Sequence, residues 1–78
     1  MKFAVEIMPR PEALDPQGRA VQGALDRFGF SVQDCRVGKV VILEVTETDR
    51  AKGLESARKM AEQVLANPLI ETFEVKAL

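Results

Sequence analysis

Four apolar residues in a row, Val40-Val41-Ile42-Leu43, set the problem that this 78-residue chain has to solve. Side chains of a strand alternate between faces, so a β-strand through this run sends hydrocarbon out of both sides of its sheet. Both faces then want cover. The other extended segments are written differently. In "KFAVEIM", Phe3, Val5 and Ile7 fall on one side and Lys2, Ala4 and Glu6 on the other, and in "LIETFEVKA", Phe73 and Val75 oppose Glu74 and Lys76, as half-buried strands should. A core this small rarely supplies more than ~3–5 kcal/mol without a staple. The single cysteine, Cys35, excludes an internal disulfide, so oligomerisation or docking is expected to add the missing support.

Two helical patterns separate the strands. Pro9 and Pro11 make "PRPEAL" a stiff connection with Arg10 held out between two fixed backbone angles. Asp15 is then a good N-cap and Pro16 a good first helical residue, while Ala20, Val21, Ala24, Leu25 and Phe28 recur at helical spacing up to Gly29. The spacing predicts a first helix from Pro16 to Phe28. A second lies between Asp49 and Ala66, with Leu54, Ala57, Ala61, Val64 and Leu65 on one stripe, and Asn67-Pro68 ends it. Ser31 to Arg36 reads as a weaker strand, joined through a turn at Gly38-Lys39 to the apolar run, so these two strands are expected to form a hairpin. The order is strand, helix, strand, strand, helix, strand. It predicts a single domain over residues 1–78, a ferredoxin-like βαββαβ α+β sandwich whose antiparallel sheet carries two helices on one face. The other face, with Ile42 on it, is then left for self-association.

Composition narrows the chemistry. There is no His, Trp or Tyr, so the commonest general base and the usual imidazole metal ligand are missing. Cys35 has no His to activate it and sits in an expected strand, which makes it a bystander. The pairs Glu44/Glu47 and Glu71/Glu74 lack the company of a metal site and read as solvated charges. A net charge of -1 with no basic stripe disfavours nucleic acid and anionic membranes, and Val40 to Leu43 is far short of the ~20 residues of a membrane helix. The first residues, too short and too alternating for a signal peptide, make the expected location cytoplasmic.

One stretch invites a sharper question. "GRAVQG", residues 18–23, has a glycine at each end but lies inside the helical pattern and lacks the lysine and hydroxyl of a phosphate loop. Asp15-Pro16 starting a helix accounts for most of it. Gly18 remains odd, because it weakens a first turn by ~1 kcal/mol relative to Ala, and something is expected to approach the backbone there closely.

Three stretches taken together, "LDPQG" at 14–18, "RVGK" at 36–39 and "LANPLIETFEV" at 65–75, resemble the PurS family, small subunits of phosphoribosylformylglycinamidine (FGAM) synthase. The resemblance covers the whole chain; the departures are Pro9, Pro11, Arg10 where the family has a lysine before "LDPQG", and Cys35 where an aliphatic residue is common. It implies a non-catalytic subunit of a purine-biosynthetic ligase complex, bridging an ATP- and magnesium-dependent synthetase, PurL, and a glutaminase, PurQ, so that ammonia passes between them. It implies no catalytic, cofactor or metal residue in this chain, with ATP and magnesium belonging to the synthetase. The subunit-contact candidates are Arg10, Asp15, Gln17, Gly18, Arg36, Gly38, Lys39, Ile42 and Asn67. Two other classes stay open: a small-ligand regulatory module reading an anion with Arg10, Arg36, Lys39 and the Gly18 backbone, and a free-standing enzyme.

Overall fold

The computed structural model describes residues 1–78. The elements are β1 (Lys2–Pro9), α1 (Pro16–Arg27), β2 (Lys39–Glu44), α2 (Arg50–Met60), continued by a π-helical turn (Ala61–Leu65), and β3 (Glu71–Ala77). They form a three-stranded antiparallel sheet in the order β2-β1-β3. The ferredoxin-like α+β class holds, with one strand fewer than expected.

Alternation in β1 produces the core directly. Phe3, Val5 and Ile7 are fully buried, and the register sets Leu43 and Val41 opposite Phe3 and Val5, and Val75 and Phe73 opposite Val5 and Ile7. Over this face lies α2, brought close by a stripe of small residues four apart, Gly53, Ala57 and Ala61, all buried. A Cβ on Gly53 would stand 2.8 Å from the Met1 sulfur and 3.1 Å from the Phe3 ring, so the helix packs where only hydrogen fits. Its last turn widens until the Ala66 N–H reaches the Ala61 carbonyl at 2.9 Å. Asn67-Pro68 follows, because the residue before a proline is pushed out of the helical region.

The opposite face carries Ala4, Glu6 and Met8 of β1 beside Val40 and Ile42, which are 57% and 56% exposed. Toward β3 the same face is charged: Lys76 holds Glu6 at 2.7 Å, and this bond raises the lysine above its ordinary value.

Two expectations are corrected here. Ser31–Arg36 forms no strand and there is no hairpin: the segment runs unpaired into β2, and the only residue with positive φ is Gly29, at 90° after α1. A two-residue hairpin turn at Gly38-Lys39 would need positive φ there. Nor do both helices lie on the sheet, since α2 packs on β1 and β3 while α1 stands off beyond the strand ends. The molecule is accordingly long, 48 × 24 × 14 Å, with a radius of gyration of 15.6 Å against ~11.5 Å for a compact domain of this length. Residues 10–37 are an arm.

With so few residues in the core, one truncation should be decisive. Ile7→Ala removes a side chain that is 1% exposed and should cost ~2–5 kcal/mol, most of what so small a domain holds. Chemical denaturation is expected to show the variant largely unfolded in water. A change under ~1 kcal/mol would place the core elsewhere.

Candidate functional site

Three chain segments meet where the arm joins the sheet: the end of β1, the start of α1 and the approach to β2. The Asp15 carboxylate ties them. One oxygen accepts the Gly18 N–H at 2.9 Å, which is the helix cap expected from the sequence, and the other accepts the Val37 N–H at 2.9 Å. These two backbone donors, Val37 above all, together with the Arg36 charge, hold the carboxyl below its ordinary value of 3.8.

Arg36 does the complementary work. Its guanidinium donates to the carbonyls of Ala13 at 3.1 Å, Arg10 at 3.4 Å and Pro11, and lies 3.8 Å from Asp34. Two prolines give this loop carbonyls with few partners of their own, and one planar fork gathers three of them. Arg10, expected to be held out, instead reaches across to the Pro68 carbonyl with two donors at 2.9 and 3.2 Å, while its backbone N–H donates to Ile70 at 2.8 Å. The turn after α2 is thereby pinned to the end of β1. Asn67 shapes that turn: its side-chain oxygen accepts from Leu69 at 3.0 Å and its N–H donates to the Glu71 carboxylate at 2.7 Å.

The puzzle of Gly18 resolves within the chain. A Cβ there would fall on the Cys35 carbonyl oxygen and on the Asp15 carboxylate, so the backbone that approaches closely is that of residue 35. Gln22 continues the same seam, its side-chain amide donating to the Val32 carbonyl at 2.7 Å. Gly38 is similarly confined by the Ile7 carbonyl and the Met8 side chain.

Of the nine contact candidates, the structure thus brings seven to this junction. Arg10, Asp15, Gly18, Arg36 and Gly38 spend their side chains or their lack of one on the chain's own backbone. Gln17 and Lys39 are exposed and line a cleft of about 230 Å³ with Asp15, Gly38, Ile7 and Ile70. Asn67 lies in the adjoining turn, and Ile42 sits apart on the open face of the sheet. What the sequence reading missed was a tie between segments: that Asp15 also receives Val37, and that Arg36 answers the loop of Pro9 and Pro11. Nowhere do three His, Cys, Asp or Glu side chains converge.

Comparison with known proteins decides the family. The sequence profile of PurS, phosphoribosylformylglycinamidine (FGAM) synthase, matches residues 2–78. The chain belongs to the PurS family. It is 35% identical to the FGAM synthase subunit PurS of Thermotoga maritima over 78 residues, 99% of this chain and 95% of that one. It is 42% identical to the subunit of Mycobacterium leprae over 75 residues, 95% of this chain and 91% of the other. Among solved structures, the Thermotoga maritima PurS subunit superposes with a TM-score of 0.90 at 35% identity, covering 99% of this chain and 90% of that one. A chain in the structure of PurLQS from the same organism gives 0.89 at 35% identity, covering 99% and 95%. The PurS motifs at 14–18 and 36–39 therefore mark the two sides of one seam, where Asp15 and Gly18 meet residues 35–37.

Two measurements probe this junction. Because the folded Asp15 carboxyl lies below its unfolded value, the tie is complete above that value and lost as pH falls through the lower folded one. The amide resonances of Gly18 and Val37 are expected to titrate together with a midpoint under 3.8, and a midpoint at or above it would show that the carboxylate is not so held. Gly23, on the opposite side of α1, has no atom nearer than 3.7 Å to an added Cβ. Gly23→Ala should therefore stabilise by ~0.5–1 kcal/mol, whereas Gly18→Ala should destabilise by more than ~1 kcal/mol. Equal effects at the two glycines would refute the close approach at residue 18.

Proposed function

We propose that this chain is a non-catalytic bridging subunit of FGAM synthase in purine biosynthesis, holding a PurL-like synthetase and a PurQ-like glutaminase together so that ammonia released by one is used by the other. The observation that carries this reading is the match of the whole chain, residues 2–78, to the PurS family. A PurLQS assembly containing a chain of the same shape supports the choice of partners. Self-association, as a homodimer or higher oligomer, is part of the reading: the sheet leaves Val40, Ile42 and Met8 exposed, and α1 leaves Phe28 81% exposed.

A bridge needs no reactive group. Its contribution is to convert encounter of two large subunits into an intramolecular event at high effective concentration, and ammonia that is captured on release does not equilibrate with water. ATP and magnesium belong to the synthetase in this reading, this chain binds neither, and the site of action is the cytoplasm. The rival reading, an anion-reading regulatory module, loses support at Arg36, whose donors are spent on the carbonyls of residues 10, 11 and 13.

Reconstitution with PurL and PurQ tests the bridge. Leaving this chain out should abolish glutamine-dependent FGAM formation while synthesis from added ammonia survives. Cys35→Ser should leave both activities within about twofold of the parent, a difference of only ~0.4 kcal/mol in barrier. Lys39→Ala is the informative contact variant, because the Lys39 side chain makes no hydrogen bond or ion pair within the chain, whereas changes at Gly18 or Arg36 would disturb the arm itself. It should weaken glutamine-dependent activity more than ammonia-dependent activity. Full glutamine-dependent activity without this chain would overturn the proposal.

A further inference from the structure

The row of side chains that β2 turns toward the core does not end as it begins. Leu43 and Val41 lie opposite Phe3 and Val5, and the next position of the same row, opposite Ile7, is Lys39. An ammonium thus stands where alternation calls for a third apolar residue. Lys39 is exposed and lines the cleft of about 230 Å³ at the base of the arm. The chain gives it nothing to hold. The ion pairs of the molecule are Arg36 with Asp34, Lys59 with Glu55 and Lys76 with Glu6, and the Lys39 side chain takes part in none of them.

The walls of the cleft decide what fits against that charge. Two carboxylates share them, Asp15 and Glu71, and backbone donors already occupy both: Asp15 accepts from Gly18 and Val37, and Glu71 accepts from Asn67. Gln17 offers two further donors, its side-chain amide and its backbone N–H, neither of which has an acceptor in the chain. Around these polar groups stand Leu14, 76% exposed, and Ile70, 50% exposed. An unspent ammonium and amide within an apolar rim have the make-up of a protein-contact centre, where a polar anchor is shielded from water by less energetic neighbours.

Size points the same way. Sites for cofactors and drug-sized ligands hold ~300–1,000 Å³, and this cleft holds about 230 Å³. A bare inorganic anion would satisfy Lys39 and leave Leu14 and Ile70 uncovered. A protein segment that carries a carboxylate covers them and brings the charge with it.

We infer that this cleft receives an acidic side chain, Asp or Glu, from a segment of the PurL-like or PurQ-like subunit. Its carboxylate bonds to the Lys39 ammonium and the Gln17 amide, and the residues flanking it cover Leu14 and Ile70. Closure by the partner takes water away from the pair, and losing one member of a pair so enclosed is far more damaging than losing one at a solvated rim. The tied walls keep the site open. Because Asp15 and Glu71 are held by the chain's own N–H groups, they do not swing across to neutralise Lys39, which keeps its charge for the incoming group. The inference rests on the bridging function proposed above and names one contact that serves it.

Carbodiimide coupling tests it on the complex assembled from full-length PurL, PurQ and this chain. The reagent activates a carboxylate, an amine in direct contact attacks it, and a urea leaves with the oxygen, so an amide without any spacer records the contact. The expected product joins the Lys39 Nζ to an Asp or Glu of PurL or PurQ, identified by mass spectrometry. Lys39→Arg, which keeps the charge and offers no amine, should assemble and lack the product, whereas Lys39→Ala should weaken assembly by ~30-fold or more. Lys2, at the start of β1, and Lys52, beside the Gly53 that packs on Met1, lie at the other end of the sheet and serve as internal controls. Products at those lysines with none at Lys39 overturn the inference, as does assembly unchanged by Lys39→Ala. A product joining Lys39 to a second copy of this chain overturns it too, since the cleft would then belong to self-association. The bridging function is read separately: an assembled complex without the Lys39 product sinks this inference alone, and a chain that binds neither PurL nor PurQ sinks both.

Discussion

One carboxylate decides the shape of this molecule. Asp15 closes the first turn of α1 with one oxygen and holds the Val37 N–H with the other, so that the outgoing and returning strands of the arm are fastened at their base. Without the second bond, residues 30–37 would be a loop free to take many paths, and α1 a short helix on a proline-rich tether. With it, the helix and the returning segment become one body that leaves the sheet in a set direction. Arg36 adds the complementary clamp from the same segment, gathering the carbonyls of the loop that leads into α1. Cap, seam and clamp all fall within the "LDPQG" and "RVGK" stretches.

Much of the fold was legible because it depends on local periodicity. The alternation of Phe3, Val5 and Ile7 marked the central strand, Asp15-Pro16 and Gly29 marked the ends of α1, and Asn67-Pro68 marked the end of α2. The missed strand is instructive. Ser31–Arg36 has extended character, which the sequence conveys, but pairing is a relation between two segments, and which edge it joins is set by whether Gly38 turns. A glycine permits the turn without requiring it. Here Gly38 lies against the Ile7 carbonyl without the positive φ of a hairpin turn, so the segment before it is left without a strand partner.

The candidate site was legible in part for a related reason. Gly18 was recognisable as a position where backbone must come close, since no helix gains from it, yet sequence alone does not say whose backbone arrives. It is residue 35, seventeen positions away. Arg10 and Arg36 looked like surface charges available to a partner, and the structure commits both to carbonyl oxygens. An arginine among prolines was the available signal: proline-rich loops expose carbonyls without matching N–H groups, and a five-donor fork is the side chain best suited to gather them.

A core built from three large side chains and a few alanines cannot hold an independent arm as well, and the division of apolar residues shows where the balance is made up. Val41 and Leu43 serve the chain's own core, while Val40 and Ile42, from the same run of four, face outward on the uncovered side. The apolar half of the face, Met8, Val40 and Ile42, adjoins a charged half formed by Glu6 and Lys76, a mixture suited to docking on a larger protein surface rather than to burial in a core. A two-faced strand in so small a protein thus separates two tasks that would otherwise compete, building the chain's own core and presenting an outward surface to the subunits it is proposed to join.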